Sequence, residues 1–292
     1  MIVQRVSSYI SLLKLPIVAL LLFVSSAALF LAAKGSLPLV PFTSLLISGG
    51  LAASGASALN HYLERDLDGL MSRTAQRPLV SGRIGHPTIA LALGLSLITL
   101  ALVIALPLNL GLAFLLLAGI IVYVVVYTAW LKRVSRWNIV VGGLSGSCAV
   151  LAGWAAIDSW WTPEPLLLAL LLFLWTPPHF WSLAMVHADD YRRAGIPMLP
   201  VVVEPRAAAN WGLIQVLLTV LVSLVITPAG KFGWLYLSIA LTVGLVFVAT
   251  AVSLVQQPGH AAARMHFRVS NIYLASIFAG MILDAYLRYR IP

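Results

Sequence analysis

The sequence is a succession of apolar stretches, each about twenty residues long, separated by short polar segments. A stretch of that length forms a helix that spans the hydrocarbon core of a bilayer. Because 61% of the residues are hydrophobic and only 9% are charged, the chain has more apolar surface than a soluble fold could bury. The pattern therefore predicts an all-α fold, a polytopic membrane bundle.

Hydropathy predicts nine transmembrane helices. Their expected bounds are 15–33, 39–60, 87–106, 108–128, 138–157, 164–187, 207–229, 232–255 and 269–288. The first is too long for the apolar region of a signal peptide, and no polar segment is long enough for a soluble domain. We therefore expect residues 1–292 to form a single intramembrane domain.

Basic residues are unequally divided between the two sides of this bundle. Fourteen Lys and Arg residues, Arg5, Arg264 and Arg268 among them, fall on the side that holds the N-terminus, and four, Arg290 among them, fall on the other. Since cytoplasmic loops are enriched in Lys and Arg, the N-terminus is expected in the cytoplasm and the C-terminus outside. The basic residues that give the net charge of +9 are then explained by their role in membrane orientation and by contact with anionic lipid. Nucleic-acid binding is not expected.

A charged segment follows the second predicted helix. Asn60, Glu64 and Asp68 occur four residues apart, so a helix that continues to Asp68 would carry them on one face, drifting about 40° per step. Their oxygen atoms suit Mg²⁺, which also binds phosphate oxygens and water. Arg73 and Arg77 follow within reach of a bound phosphate group. The segment therefore predicts a magnesium and phosphate site.

The loop after helix 6 has a similar combination of charges. Asp189 and Asp190 could bind a second Mg²⁺, with Arg192 and Arg193 on diphosphate oxygens. For this loop alone, local ion pairs at a solvated, positive-inside helix end are the simpler interpretation. Two acidic and basic loops on one side of the bundle favour a shared binding site instead.

Helix 6 contains Pro177 and Pro178, which should break or kink it inside the membrane. His179 follows, and His187 lies eight residues later on nearly the same helical face. The two histidines could clamp or ligate a metalloporphyrin, with Trp181 among its aromatic walls. The local pattern favours the alternative, a histidine that satisfies a carbonyl released by the kink.

Three further basic residues lie on the same side. Lys132 and Arg133 could neutralise a diphosphate leaving group, and positive-inside anchoring explains them equally well. Lys14, before helix 1, is a weaker candidate. The other histidines sit at helix ends or in loops without the spacing of a metal site: His61, His86, His260 and His266.

The Asn60, Glu64 and Asp68 pattern, followed by residues 73–74 and 77–79, resembles the first aspartate-rich motif of the UbiA-type intramembrane prenyltransferases, which are nine-helix bundles. Residues 127–133, 138–143, 175–181 and 190–201 resemble one branch of that superfamily, the protohaem IX farnesyltransferases or haem O synthases. The resemblance covers residues 10–285.

Several positions depart from the family pattern. His61 replaces the aspartate that often follows the first asparagine, and Glu64 replaces another aspartate. The second motif of the family has two aspartates four residues apart. In this chain the residues with that spacing around the aspartate pair are His187 and Tyr191, so the Asp-x₃-Asp motif is absent. The ligands of a second metal are therefore left open.

The resemblance implies Mg²⁺-dependent transfer of the farnesyl group of farnesyl diphosphate to the 2-vinyl group of haem B, with addition of water to give haem O. Haem B is then a substrate, and the cell (inner) membrane is the location. Haem A synthase or a terminal oxidase assembly factor is an implied partner. The implied metal ligands and catalytic residues are Asn60, Glu64, Asp68, Asp189, Asp190, Arg73, Arg77, Lys132 and Arg133. The implied substrate contacts are His179, His187, Trp181, Tyr191, Arg192, Arg193 and Lys14.

Two other functions stay open. A UbiA-type enzyme with another acceptor, such as a quinone precursor or chlorophyllide, would keep the first acidic motif but gives no reason for the string at 177–181. A transporter or haem-binding scaffold should carry ionisable residues at mid-membrane or show an inverted repeat. Charge concentrated at helix ends on one side disfavours that class.

Overall fold

The computed structural model describes residues 2–290, and side chains from residue 6 to residue 289. The side chains of Arg5 and Arg290, which entered the charge bias, lie outside the described residues. Helices account for the regular structure of the described chain, which contains no strand. Nine helices between residues 2 and 290 are long and apolar enough to cross a membrane. The predicted all-α bundle of nine spans is confirmed.

Thirteen helices follow one another along the described chain, and four of them, α1, α4, α9 and α10, are too short to span. They are α1 (Ile2–Leu12), α2 (Leu15–Ala32), α3 (Leu39–Leu63), α4 (Arg65–Asp68), α5 (Thr88–Ala105), α6 (Leu110–Val134), α7 (Asn138–Ala155), α8 (Pro163–Val186), α9 (Ala188–Arg193), α10 (Leu199–Val202), α11 (Pro205–Ala229), α12 (Trp234–Gln256) and α13 (His260–Arg290).

Large apolar side chains cover the outer surface of the bundle, as a lipid environment requires; Leu110 and Leu245 are examples. Inside, small residues allow close helix crossings. A Cβ atom on Gly55 of α3 would lie 2.7 Å from the carbonyl oxygen of Gly94 on α5. Because no side chain fits between them, this crossing fixes α3 against α5 just before the charged end of α3.

Two helices extend furthest beyond the bounds expected from hydropathy. α6 continues to Val134 through a π-helical segment, Ile121–Leu131. α13 begins at His260, so Arg264 and Arg268 lie on a helix and not in the expected loop. Hydropathy detects only the part of a helix that lies in lipid, whereas the hydrogen-bonded helix can continue past the hydrocarbon core.

Pro177 and Pro178 do not break α8, which is helical from Pro163 to Val186. The sequence predicted that the prolines would break or kink this helix, and the prediction of a break is wrong. α8 is largely enclosed by neighbouring helices, and tertiary packing of this kind maintains a helix through prolines. Thr176 donates its hydroxyl hydrogen to the carbonyl oxygen of Leu172 at 2.7 Å, which satisfies one polar group beside the prolines.

Candidate active site

The end of α3 carries three oxygen-bearing side chains on one face. α3 ends at Leu63, but the backbone N–H of Glu64 donates to the carbonyl of Asn60 at 2.9 Å, and that of Asp68 donates to the carbonyl of Glu64 at 2.8 Å. The helical spacing therefore continues into α4. Asn60, Glu64 and Asp68 are only 2%, 2% and 3% exposed, so their arrangement is an interior one.

Asn60 is held by residues from two other parts of the chain. The Lys14 ammonium group donates to its Oδ1 at 2.6 Å, and its own Nδ2 donates to Thr128 Oγ1 at 3.0 Å. Lys14 joins α1 to α2 with a left-handed φ of 48°, which non-glycine residues rarely adopt. Burial, together with the nearby cations Arg77 and Lys132, lowers the pKa of Lys14 to about 7.

Glu64 and Asp68 are neutralised by two cations. Lys132 Nζ lies 2.5 Å from Glu64 Oε1, and Arg77 Nη1 lies 2.6 Å from Asp68 Oδ2. The same Arg77 nitrogen is 3.8 Å from Glu64 Oε2, so one guanidinium group joins both carboxylates. Burial by itself would raise the pKa of Glu64, but the surrounding cations hold it below its ordinary value. At Asp68 burial dominates and raises the pKa.

The π-helical part of α6 supplies matching contacts to α3. Thr128 in this segment and Lys132 directly after it are four residues apart on α6. They contact Asn60 near the end of α3 and Glu64 just beyond it, which are also four residues apart. Helices with i→i+5 hydrogen bonds are rare, and they are often found at functional sites. The segment and the residue that follows it present a hydroxyl and an ammonium group to two of the three residues of the acidic motif.

Asp190 joins the loop after α4 to the helix α9. Its carboxylate accepts hydrogen bonds from the Ser72 hydroxyl at 2.8 Å, from the Ser72 backbone N–H at 3.0 Å and from the Arg73 backbone N–H at 3.3 Å. Arg193 also pairs with it. Although burial opposes ionisation, these donors hold the pKa of Asp190 below its usual range. Asp190 thus links the polar loop after α4 to the polar segment that contains α9.

Three residues expected from the sequence to meet the substrate or metal form ion pairs at the surface. Arg133 forms a two-pronged ion pair with Asp66, at 2.8 and 2.9 Å. Asp189, whose side chain is 77% exposed, pairs with Arg192 at 2.6 Å. Lys132 and Arg133 are adjacent, and so are Asp189 and Asp190; successive residues on a helix point about 100° apart, which sends one member of each pair outward.

The donor set at the end of α3 fits magnesium bound together with a phosphate group. Within residues 2–290, no cluster of three or more His, Cys, Asp or Glu side chains is suited to a metal ion. Glu64, Asp68 and the Asn60 carboxamide supply two carboxylates and one neutral oxygen donor. Mg²⁺ at substrate sites commonly takes one or two carboxylates and completes its shell with phosphate oxygens and water. The aspartate pair of α9 is not assembled in this way, since its two carboxylates have separate partners.

His179 is enclosed between α8 and α13. Its Nδ1 lies 2.7 Å from the Ser270 hydroxyl, and its ring stacks against Trp175 and Phe267 with centroid distances of 4.3 and 4.6 Å. The alternative interpretation of the sequence was that this histidine satisfies a carbonyl released by the kink. That interpretation is wrong, because the partner of the ring is a hydroxyl group from another helix.

The other residues expected to contact the haem acceptor differ in their solvent exposure. Trp181 and Tyr191 are buried, and Tyr191 packs in an apolar cluster with Met71 and Ile139. His187 is half-buried at the end of α8. Burial lowers the pKa of His187, and the Arg73 guanidinium group adds to that effect.

Sequence reasoning missed several residues that hold the site. A sequence signal for Thr128 exists: it lies four residues before Lys132, the same spacing as between Asn60 and Glu64. Ser72 and Ser270 had none, because small hydroxyl residues are common throughout the chain.

Solved structures share this fold at low sequence identity. One concerns digeranylgeranylglyceryl phosphate synthase; it has a TM-score of 0.81, covers 97% of this chain and 99% of that chain, and is 16% identical. Another is a UbiA homologue from Archaeoglobus fulgidus bound to DMAPP and Mg²⁺, with a TM-score of 0.67, coverage of 94% and 99%, and 18% identity.

Sequence relatives cover nearly the same length. The protein named protoheme IX farnesyltransferase from Desulforudis audaxviator is 41% identical, over 96% of this chain and 89% of that protein. Its namesake from Gloeobacter violaceus is also 41% identical, over 96% of this chain and 92% of that protein. The model of the UbiA prenyltransferase family matches residues 20–277. This chain therefore belongs to the UbiA prenyltransferase family.

Proposed function

We propose that this protein transfers the farnesyl group of farnesyl diphosphate to the 2-vinyl group of haem B, with addition of water, giving haem O and diphosphate. The observation that carries the proposal is the buried group of Asn60, Glu64 and Asp68, met by three cations at one end of a nine-helix bundle. The relatives named protoheme IX farnesyltransferase support haem as the acceptor.

The charged groups are arranged for an exchange of partners when the substrate binds. Asn60, Glu64 and Asp68 would hold Mg²⁺, which when bound neutralises diphosphate charge. Lys14, Lys132 and Arg77 would then turn from these ligands to the diphosphate oxygens. In that position they stabilise the negative charge that develops as the allylic C–O bond breaks. Arg73, whose backbone N–H donates to Asp190, is a further candidate cation for the diphosphate.

The reaction breaks the bond between C1 of the farnesyl group and the diphosphate oxygen, which keeps the electron pair. C1 then bonds to the terminal carbon of the vinyl group, and the positive charge left on the adjacent carbon is captured by water, which loses a proton. Premature water would convert the farnesyl cation to farnesol, so the chamber must be dry until that step. The contact between Asp190 and Ser72 holds the two polar loops together, and we propose that it limits the entry of water.

For the acceptor, we propose that haem B approaches along α8. The half-buried His187 is the more accessible of the two histidines. His179 would meet haem only after giving up its contact with Ser270 or through its other ring nitrogen. Trp181, Tyr191, Arg192 and Arg193 line this end of α8 and α9 and are the remaining candidates for substrate contact.

The protein is a multi-pass membrane protein. We propose that its N-terminus and the site described above lie on the cytoplasmic side of the cell (inner) membrane, with the C-terminus outside, because Lys and Arg predominate in the loops on the site's side. We also propose that the chain acts as one intramembrane domain, and that it passes haem O to haem A synthase or to an assembly factor of a terminal oxidase.

Purified protein incubated with haem B, farnesyl diphosphate and Mg²⁺ tests the proposal by mass spectrometry of the pigments. Haem O is the expected product. Asp158→Asn is a matched control, since Asp158 is an exposed acid in the loop after α7, at the opposite end of the bundle, and should leave turnover unchanged. Farnesylation of a quinone precursor but not of haem B would contradict the acceptor assignment, and absence of any prenyl transfer would contradict the enzyme class.

A further inference from the structure

His61, in the last turn of α3, has no hydrogen-bond partner within the protein. The residue is 3% exposed, and both of its ring nitrogens are buried and unpartnered. Two other buried histidines differ, because His179 meets Ser270 and His266 meets Thr250 at 3.0 Å. An imidazole is a polar ring whose two nitrogens normally find partners, and burying them without one costs free energy.

The position of His61 connects it to the charged group. It lies three residues before Glu64, a spacing that places two side chains on neighbouring parts of one helical face. One turn earlier on α3, the Ser57 hydroxyl donates to the carbonyl of Leu12 at 2.7 Å. This face of α3 therefore packs against the segment that ends in Lys14. Lys14 and Glu64 both act electrostatically on the imidazole ring, so the ring lies near the acidic motif and near the Lys14 corner.

Three charged groups act electrostatically on the ring: the cations Lys14 and Arg77 and the carboxylate Glu64. Two cations disfavour a metal ion on either ring nitrogen. A neutral imidazole has one N–H to donate, and an anionic oxygen is the acceptor that two neighbouring cations attract most strongly. A diphosphate group placed between these cations carries such oxygens.

We propose that the His61 ring donates a hydrogen bond to a diphosphate oxygen of the prenyl substrate, so that His61 is a substrate-binding residue beside the three cations. This inference rests on the proposed function, and it adds a neutral donor to the diphosphate site. It also explains why a polar ring lies in the interior without a hydrogen-bond partner in the protein.

Binding measurements without haem test this contact. Inorganic diphosphate and farnesyl diphosphate are each titrated into the full-length protein in the presence of Mg²⁺. His61→Leu removes both nitrogens at similar volume and should raise the Kd for both ligands about ten- to a hundredfold, the range for a hydrogen bond to a charged group. His61→Asn and His61→Gln place an amide N–H near the positions of Nδ1 and Nε2, so one of them should recover most of the affinity.

Ser44→Ala is the matched control. Ser44 lies on the same helix, its hydroxyl is likewise buried and unpartnered, and it is about 25 Å away along the helix axis. This variant should keep wild-type Kd values. The melting temperature of the ligand-free His61→Leu protein should be no lower than that of wild type, because an unpartnered polar group has been removed.

Wild-type Kd values for both ligands in His61→Leu would overturn the proposal. So would weaker binding of farnesyl diphosphate alone, which would place the contact on the prenyl chain. Should His61→Leu fail to fold, the two amide variants carry the test, and equal Kd values for them would overturn it. Failure of the proposed function looks different: the wild-type protein itself would bind neither ligand, and both proposals would fall.

Discussion

Replacing Asp190 by Asn should loosen the two polar loops from each other before any substrate binds. The Asp190 side chain is buried, 5% exposed, and its two oxygens accept hydrogen bonds from Ser72 and from the backbone of Arg73, with Arg193 paired as well. Asn keeps one accepting oxygen, loses the charge and replaces the second oxygen with an NH₂ group. At least one of these donors, which belong to exposed residues, then loses its acceptor within the protein.

The size of the effect follows from these contacts. A hydrogen bond to a charged group contributes about 1.5–3 kcal/mol, and the exposed donors can turn to water when it is lost. We expect local opening of the segment 70–86 to become easier by about 1.5–3 kcal/mol, which is a rise of about 10- to 150-fold in its hydrogen-exchange rate. Hydrogen exchange with mass spectrometry, on protein free of Mg²⁺ and diphosphate, measures this directly.

Asp189→Asn is the neighbouring control. Its side chain is 77% exposed and pairs only with Arg192 on the surface, and exposed pairs contribute about 0–1 kcal/mol. Hydrogen exchange in the same segment should therefore change less than about fivefold. Equal effects of the two variants would refute the reasoning. So would an Asp190→Asn protein that is unchanged without Mg²⁺ but loses Mg²⁺-dependent binding, because Asp190 would then be a metal ligand.

The contact should also depend on pH. The folded-state pKa of Asp190 is lowered, so its stabilising effect is fully present above the unfolded value of about 3.9 and is lost as the pH falls through the lower folded value. Exchange measured near neutral pH therefore reports the whole contribution of the carboxylate.

Three further outcomes are expected. Asp68→Asn should abolish turnover while the melting temperature stays within a few degrees of wild type; normal product formation, or full activity in excess EDTA, would contradict the magnesium assignment. Reporter fusions after Arg77 and after Arg193 should both register cytoplasmic and one after Asp158 outside, and a split between the first two would separate the loops that the site requires. His179→Ala should weaken haem B binding and change the absorption spectrum while leaving the affinity for farnesyl diphosphate intact; a lower melting temperature with an unchanged spectrum would make His179 structural and leave His187 as the acceptor residue.

The nine spans could be predicted because the bilayer imposes a length and an apolar surface on every helix that crosses it. The helical face of Asn60, Glu64 and Asp68 could be predicted for a local reason, since its spacing matches the helical period. The start of α13 could not, because polar residues such as His260 continue the helix outside the lipid, where hydropathy gives no signal.

Contacts between distant parts of the chain were the least predictable. Lys14 was the weakest candidate by sequence, yet its ammonium group bonds Asn60. Lys132 and Arg133 were equal candidates, and only the rotation of α6 sends the first to Glu64 and the second to the surface. Both outcomes depend on how helices cross, which one-dimensional charge patterns do not contain.

The π-helical segment of α6 limits where this sequence can lose a residue by deletion. Deleting one residue within Ile121–Leu131 could be absorbed by a return to i→i+4 bonding, so the span would still cross the membrane. Because the widened turns take up the missing residue, Lys132 would stay opposite Glu64. The same deletion in the α-helical part, Leu110–Ile120, has no such compensation and would rotate Lys132 by about 100° relative to the start of the helix. Single-residue gaps among family members should therefore fall within the π-helical segment.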